Sequence, residues 1–375
     1  MMPAPNDRVP PLHVHRVLVT KLRHHGDVLL ISPVLTALGR ALPHAEIDVL
    51  VYAETAPMIE RHPALARVFT IDRSMKRRGP WSQLVAEFTL LRSLRARSYD
   101  LLVHLTDHPR GLSLAVCLRP RWAVTTELPA RRLPRVWKRA FTHFYPVPAG
   151  GRSRHAVELN LDALRRIGIQ PLAEDRKLVM VPGDQARSRI DAMLAAMGLG
   201  EREFIHVHPG SRWLFKCWPA GRMALLIAKL CEDGHAVVLT GAPEERERAY
   251  VDTLLAALPD AVRTGVHDLT GKLTLPELAA LTAGAQLFIG VDSAPMHIAA
   301  AMGTPTIALF GPSDDAEWGP WRVRHRIVAS REYPCRPCRN DGCGDGKVSE
   351  CLTTLAVDRV KAEVDALLAE TLEVH

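Results

Sequence analysis

The chain has 375 residues, 47% of them apolar and 24% charged, ordinary proportions that exclude a disordered or fibrous polymer and suit two domains of roughly 150 to 200 residues each. There is no run of about 18 apolar residues, and the opening MMPAPNDRVP sets Asp7, Arg8 and several prolines where an export signal needs an apolar stretch, so a cytoplasmic location is expected. The net charge of +7 is lopsided, with 28 Lys and Arg against 15 Asp and Glu in residues 1–180 and 20 against 26 in residues 181–375.

In chain order, His15 to Thr20 reads as a buried strand, followed by a Gly-containing turn and a helix that begins near Ser32 and Pro33. Ile47 to Val51, Val68 to Ile71 and Leu101 to His104 read as further strands, with Trp81 to Arg97 helical in period. A helix from His155 to Ile167 stops at Gly168. The stretch 169–184, with Pro171, Pro182 and Gly183, is the expected linker between a domain of residues 1–168 and one of residues 185–375. The second domain starts with helix Gln185 to Met197, strand Phe204 to His208 and helix Ala220 to Glu232. Strands Ala236 to Leu239, Leu287 to Gly290 and Thr306 to Leu309 then alternate with helices Glu244 to Leu258, Leu275 to Gly284 and His297 to Met302. Alternation of this kind twice over predicts an α/β protein with two Rossmann-like parallel sheets.

Three segments carry chemistry. In KLRHHGDVLLISP (Lys21 to Pro33) a strand runs into Gly26 and Asp27 just before a helix. Ligands of open α/β sheets gather at that end of the strands, so Asp27 faces a cleft or, equally, caps a turn. In HVHPGSRWLFKCWP (His206 to Pro219), Arg212 and Lys216 lie ahead of a helix opened by Pro219, and cations beside unpaired helix N–H groups suit a diphosphate. In LFIGVDSAPMHIAAAMGTPTIALFGPSD (Leu287 to Asp314) a strand delivers Asp292, Ser293, Ala294 and Pro295 to a helix that starts around Met296. His297 sits in its first turn, as a phosphate-side group or as a brace. Neither GxGxxG nor GxxxxGKS occurs, so neither a nicotinamide dehydrogenase nor a P-loop enzyme is indicated.

These segments, in this order, resemble glycosyltransferase family 9, the lipopolysaccharide heptosyltransferases. With the late YPCRPCRNDGCGDGKVSECL (Tyr333 to Leu352) they look most like the branch of that family that adds the third core heptose. The resemblance implies a GT-B architecture, two Rossmann-like domains facing a cleft, with the acceptor on the first domain and the nucleotide on the second. It implies ADP-L-glycero-D-manno-heptose as donor, the lipopolysaccharide inner core as acceptor, inversion at the anomeric carbon, and no metal for catalysis. By motif position the catalytic base is Asp27, with Lys21, Arg23, His25 and Gly26 around the acceptor. The diphosphate falls to Ser211, Arg212 and Lys216 and to Asp292, Ser293, Ala294, Pro295, Met296 and His297. In TGAPEERERA (Thr240 to Ala249), Gly241 and either Glu244 or Glu245 would meet the nucleoside, unless the glutamates only complement a helix dipole.

Two features remain. Basic clusters at Arg73 to Arg78, Arg92 to Arg97 and Arg131 to Arg139, the last interleaved with Trp137, Phe141, Phe144 and Tyr145, read as a peripheral contact with the anionic inner leaflet or as solvated helix faces. Seven cysteines with no export signal point to reduced thiols or a metal site rather than a disulfide framework. Within the cysteine-rich loop, residues 333–351, Cys335, Cys338, Cys343 and Cys351 have a spacing open to a structural zinc, a reduced loop or an oxidised disulfide. The chief rivals are transfer of another nucleotide-activated sugar, such as one from UDP, and a basic nucleic-acid-binding protein with a zinc loop. The second leaves the Asp27 and Asp292 loops without work, and no nucleic-acid partner is expected.

Overall fold

The computed structural model describes residues 8–127, 135–146, 154–344 and 346–372, so positions 131–134 of the basic segment and the first seven residues of the chain lie outside it. The chain divides into two compact units, 1–179 and 180–375.

The first unit runs β1 (Arg16–Thr20), α1 (His25–Leu29), α2 (Ser32–Ala41), β2 (Glu46–Tyr52), β3 (Leu65–Ile71), α3 (Pro80–Arg95), β4 (Leu101–His104), α4 (Arg110–Leu118), β5 (Trp122–Thr126), α5 (Arg135–Ala140), β6 (His143–Tyr145) and α6 (Ala156–Arg166). Its six strands are parallel and ordered β3-β2-β1-β4-β5-β6. The central strands β1 and β4 are apolar on both faces, as a sheet covered by helices on each side requires. Helices α3, α4 and α5 pack beside one another in turn, and α2 packs against α6. The segment after α6 folds back on this unit: Asp175, buried, takes both the Nε (2.9 Å) and Nη2 of Arg40, and the Val179 N–H donates to the Ser32 hydroxyl at 2.9 Å.

The second unit runs α7 (Asp184–Ala196), β7 (Phe204–His208), α8 (Ala220–Glu232), β8 (Ala236–Leu239), α9 (Glu245–Ala256), β9 (Val266–Asp268), α10 (Leu275–Gly284), β10 (Leu287–Val291), α11 (Ala294–Met302), β11 (Thr306–Leu309), α12 (Asp315–Trp318), β12 (His325–Val328), α13 (Glu350–Thr353) and α14 (Val357–Leu372). Its parallel sheet is ordered β12-β11-β10-β7-β8-β9, the same winding as the first. Every residue of β7 and β10 is buried. Gly290 allows that close fit, since a Cβ there would lie 2.7 Å from the Phe288 ring and 3.0 Å from the His208 carbonyl. Helix α10 begins with a full capping box, Thr274 with Glu277, and α11 ends at Gly303 in the left-handed region (φ 75°).

In a doubly wound sheet the order of winding reverses beside the first strand, and the crevice beyond the carboxyl ends there receives ligands. The reversal lies between β1 and β4 in the first unit and between β7 and β10 in the second. Each pair is followed by the loops that carry the residues singled out in the sequence.

Candidate functional site

In the first unit β1 delivers Lys21, and the one-turn α1 that follows carries Asp27. Lys21 is 8% exposed and turned inward: its ammonium donates to the Leu105 carbonyl and to Asn160 Oδ1, both at 3.1 Å, and stands 4.0 Å from Asp27 Oδ1. Burial lowers the Lys21 pKa from its usual range, with the Asp27 charge opposing the shift. The Asp27 side chain keeps 21% of its surface exposed. Its neighbours in the motif face elsewhere. Arg23 pairs with Asp107 at 2.5 Å in solvent, a ring nitrogen of His25 sits 2.9 Å from the Glu54 carbonyl, and the Gly26 carbonyl accepts from the Leu30 N–H at 3.0 Å.

Around the carboxyl ends of β2, β3 and β4 opens a cavity of about 290 Å³, lined in part by Tyr52, Asp72, Arg73, Glu87, His108 and Arg110. Arg73 pairs with Glu54 and lies over the Tyr52 ring at 4.5 Å, and Arg110 pairs with Glu87. With both guanidinium groups already paired, the cavity offers mixed donors and acceptors of the sort that bind hydroxyl-rich ligands. Apart from Arg73, in one of the basic clusters, none of its residues was singled out in the sequence, since they come from three strand ends and two helices with no motif in common.

In the second unit the loop after β7 closes in a short 3-10 turn, Leu214–Lys216, and the loop after β10 brings Asp292 to meet it. Lys216 Nζ donates to Asp292 Oδ2 at 2.6 Å, the lysine side chain 24% exposed and the aspartate 8%. Ser293 caps the start of α11 with extended backbone. Ala294 begins the helix, Pro295 spends no N–H at its second position, and Met296 and His297 are buried beneath its first turn. Ser211 is buried, its hydroxyl accepting the Trp213 N–H at 3.3 Å, and Arg212 lies over the Trp213 ring at 5.3 Å. The N-terminus of a nine-residue helix beside an accessible ammonium is a site of positive potential.

Behind that loop lies a histidine network that the sequence did not announce. Thr240, at the end of β8, has its hydroxyl 2.7 Å from His206 Nε2 and 2.8 Å from His208 Nδ1, so it donates to one ring and accepts from the other. Burial depresses both rings, His208 to about 4, so at neutral pH they are uncharged. Glu247, on α9, is buried with Oε2 3.8 Å from His208 Nε2 and accepting the Ala242 N–H at 3.2 Å; burial raises its pKa. Gly210 makes room for it, because a Cβ there would sit 2.7 Å from that oxygen. Gly241 accepts from the Gly271 N–H at 2.8 Å, while Glu244 and Glu245 are exposed at the start of α9. Of the three glutamates in this segment, the one that reaches inward is Glu247.

The cysteine-rich loop braces this unit. Arg336 Nε donates to the Gly311 carbonyl at 2.5 Å, Arg339 pairs with Asp314 at 2.5 Å, and the Ser349 hydroxyl donates to the Phe215 carbonyl at 2.5 Å, next to Lys216. Cys335, Cys338, Cys343 and Cys351 are free thiols, Cys335 exposed and Cys351 buried in α13, where burial pushes its thiol up. Among the described residues no group of three or more His, Cys, Asp or Glu is placed to hold a metal ion. The other three thiols lie near enough to Cys351 for their charge to push it up further, yet no three of the four are placed to hold an ion; arginine and serine contacts hold the loop, with one thiol at the surface and one in the core. No helix among the described residues is long and apolar enough to cross a membrane.

Comparison with known proteins bears on these two crevices. Residues 88–349 match the model of glycosyltransferase family 9 (heptosyltransferase). The chain is 34% identical over 349 residues to lipopolysaccharide heptosyltransferase 3 of Escherichia coli K12, covering 93% of this chain and 97% of that protein. Among solved structures, a family 9 glycosyltransferase from Veillonella parvula superposes with a TM-score of 0.79 at 23% identity, over 95% of this chain and 97% of the other. The ADP-heptose lps heptosyltransferase II of Escherichia coli superposes with a TM-score of 0.74 at 21% identity, over 95% and 99%. These two likenesses bear on the fold, which is of the GT-B type.

Proposed function

This chain belongs to glycosyltransferase family 9, the heptosyltransferases, and we propose that it moves L-glycero-D-manno-heptose from ADP-heptose to a heptose of the lipopolysaccharide inner core, with inversion. The observation that carries the reading is the pair of lysine–aspartate contacts, one beyond each switch point: Lys21 with Asp27, and Lys216 with Asp292.

Asp27 is the general base. It accepts the proton of an acceptor hydroxyl while that oxygen attacks the anomeric carbon and the bond from that carbon to the ADP oxygen breaks, so one displacement inverts the centre. Lys21, buried beside it, is a positioning residue for the carboxylate. The cavity of the first unit, with Tyr52, Arg73 and Arg110, supplies acceptor contacts alongside Arg23, His25 and Gly26. The negative charge that grows on the departing diphosphate is met by Lys216, by Ser211 and Arg212, and by the first turn of α11 from Ser293 to His297. Placing fixed positive charge where negative charge develops is the work a metal performs in other transferases, so no catalytic metal is invoked. The nucleoside falls to the loop of Gly241, Glu244 and Glu245. The domain roles agree with the charge asymmetry, since an anionic acceptor suits the basic half.

The protein works in the cytoplasm at the inner face of the inner membrane. The cysteine-rich loop is a brace for the Lys216 turn. Its spacing admits a structural zinc only if the loop closes around the ion, and metal analysis of protein purified without chelator decides whether it does. The function is tested by incubating the protein with ADP-heptose and truncated lipopolysaccharide and weighing the product. Gain of one heptose is expected; an unchanged acceptor overturns the reading. A thermal shift with ADP and none with UDP is expected from the donor assignment, and the reverse would assign another sugar.

A further inference from the structure

Helix α3 carries four large apolar side chains that are exposed among the described residues: Trp81, Leu84, Val85 and Phe88 are 78%, 59%, 61% and 66% exposed. Their spacing of i, i+3, i+4, i+7 puts them on one stripe. The only fully buried residue of this helix is Leu94. Contiguous exposed apolar patches of this kind mark interaction surfaces rather than chance. Beside the stripe a shallow groove of about 260 Å³ between α3 and α4 is lined by Leu84, Phe88, Leu91, Leu94, Leu114 and Cys117. Val116 on α4 and Val136 on α5 add exposed apolar surface on the neighbouring helices. Around them stand exposed cations, Arg92 and Arg95 on α3, Arg119 after α4, and Arg135, Lys138 and Arg139 on α5, none of them paired with a carboxylate among the described residues.

We propose that the α3–α4–α5 face is a docking surface for an anionic phospholipid bilayer, with Trp81 and Phe88 entering the headgroup–acyl boundary. An apolar stripe with aromatic residues, flanked by unpaired arginines and lysines, matches an interface that is apolar within and negative at its rim. A second copy of the chain is a poorer occupant. A two-fold interface sets the same patch against itself, so this face would turn its cations toward the cations of the other copy. The opposite stripe of the same helix, Gln83, Ala86, Glu87 and Leu90, lines the 290 Å³ cavity of the first unit. One helix diameter, roughly 10 Å, therefore separates the lipid-facing stripe from the cavity assigned to the acceptor, a distance that suits a sugar projecting from a membrane-anchored lipid. The inference rests on the peripheral-membrane reading above but not on the sugar assignments, because it is measured without donor or acceptor.

The test is co-sedimentation of the full chain with vesicles of phosphatidylglycerol and phosphatidylethanolamine, and with vesicles of phosphatidylcholine alone. The wild type should partition onto the anionic vesicles and release in high salt, and W81S/F88S should partition at least about tenfold less with an unchanged unfolding temperature and ADP affinity. R92S/R95S should lose part of the preference for anionic lipid. Wild-type binding that W81S/F88S retains overturns this surface while leaving peripheral association standing. Failure of the wild type to bind anionic vesicles overturns both. A dimer in solution that W81S/F88S abolishes, without vesicle binding, hands the face to a second copy.

Discussion

The two units wind alike and each puts a lysine and an aspartate at the crevice of its own sheet, yet they use the pair in opposite senses. In the first, the lysine is fixed: Lys21 is buried, tied to Asn160 and to a backbone carbonyl, and only 4.0 Å from a carboxylate that is still partly open to solvent. In the second, the aspartate is fixed: Asp292 is buried and clamped at 2.6 Å, and the ammonium of Lys216 keeps the greater exposure. One unit presents a carboxylate, the other an ammonium, and the buried partner in each case holds the presented one in place. A proton acceptor and a stabiliser of leaving-group charge are what a metal-free displacement at a sugar carbon needs.

The sharpest way to break that comparison is Asp27→Asn, which keeps shape and removes the proposed base. Transfer should fall by about 1,000- to 10,000-fold, at the upper end of what a general base supplies, while ADP binding measured by calorimetry stays within about twofold. An equal loss of ADP affinity would show that Asp27 shapes the donor site and is no base. Lys216→Ala comes next. Loss of one preorganised charge at a developing oxyanion costs about 100- to 1,000-fold in kcat, and ADP affinity should drop with it, the reverse of the Asp27 pattern. If Lys216→Ala lowers neither, the donor diphosphate lies elsewhere on the second unit.

Much of this arrangement is legible in the sequence. The strands that end in Thr20 and His208 are short apolar runs followed by a glycine and a charged residue, and continuous apolar runs are how strands buried on both faces read. Asp292 stands out because it follows such a run directly, and Asp27 and Lys216 because each lies in the turn or short helix that comes after one. What could not be read are contacts that join distant elements. Asn160 meets Lys21 from 139 residues away; its only local sign is a polar residue among Val157, Leu161 and Leu164 on the buried face of α6. Glu247 hides beside two exposed glutamates, and only the turn of α9 decides which one points inward. Strands β5, β6, β9 and β12 escaped because they are three to five residues long with threonines, histidines or arginines among the apolar positions, too short for a period to establish itself. The segment expected as a linker carries Pro171, Pro182 and Gly183, but composition cannot reveal that Asp175 is held by Arg40 of the first unit.

Lys21→Met sharpens the comparison from the other side, since it removes the fixed member and leaves the presented one. The methionine fills the buried space but orphans Asn160 Oδ1 and the Leu105 carbonyl, a cost of about 1–3 kcal/mol in stability for an unsatisfied buried acceptor. Asp27 loses the cation that stands beside it. The expected result is a drop of about tenfold to a hundredfold in kcat with the KM for donor unchanged, because the donor is held by the other unit. A rise in donor KM with kcat preserved would make Lys21 a structural residue only.

The smallest effect is in stability, and it probes the network behind Lys216. His208 is depressed to about 4 by burial, against about 6.5 when exposed, and His104 of the first unit is depressed to the same value for the same cause. For such a group the unfolded chain binds a proton that the folded chain refuses at any pH between the two values. The stabilisation is therefore complete above about pH 6.5, and falls as the pH drops through that window toward 4. Each histidine should cost about 1.4 kcal/mol per pH unit there, so urea midpoints should fall between pH 7 and pH 5. His208→Gln keeps an amide within reach of Thr240 and cannot titrate. It should remove about 2 kcal/mol of that pH dependence and leave the parts due to His104, His62 and His206, which burial depresses as well. A pH dependence identical to the wild type would mean that His208 takes up its proton in the folded state, with Glu247 at 3.8 Å as its partner, and the second unit would then hold a charged pair behind its phosphate loop in place of a neutral brace.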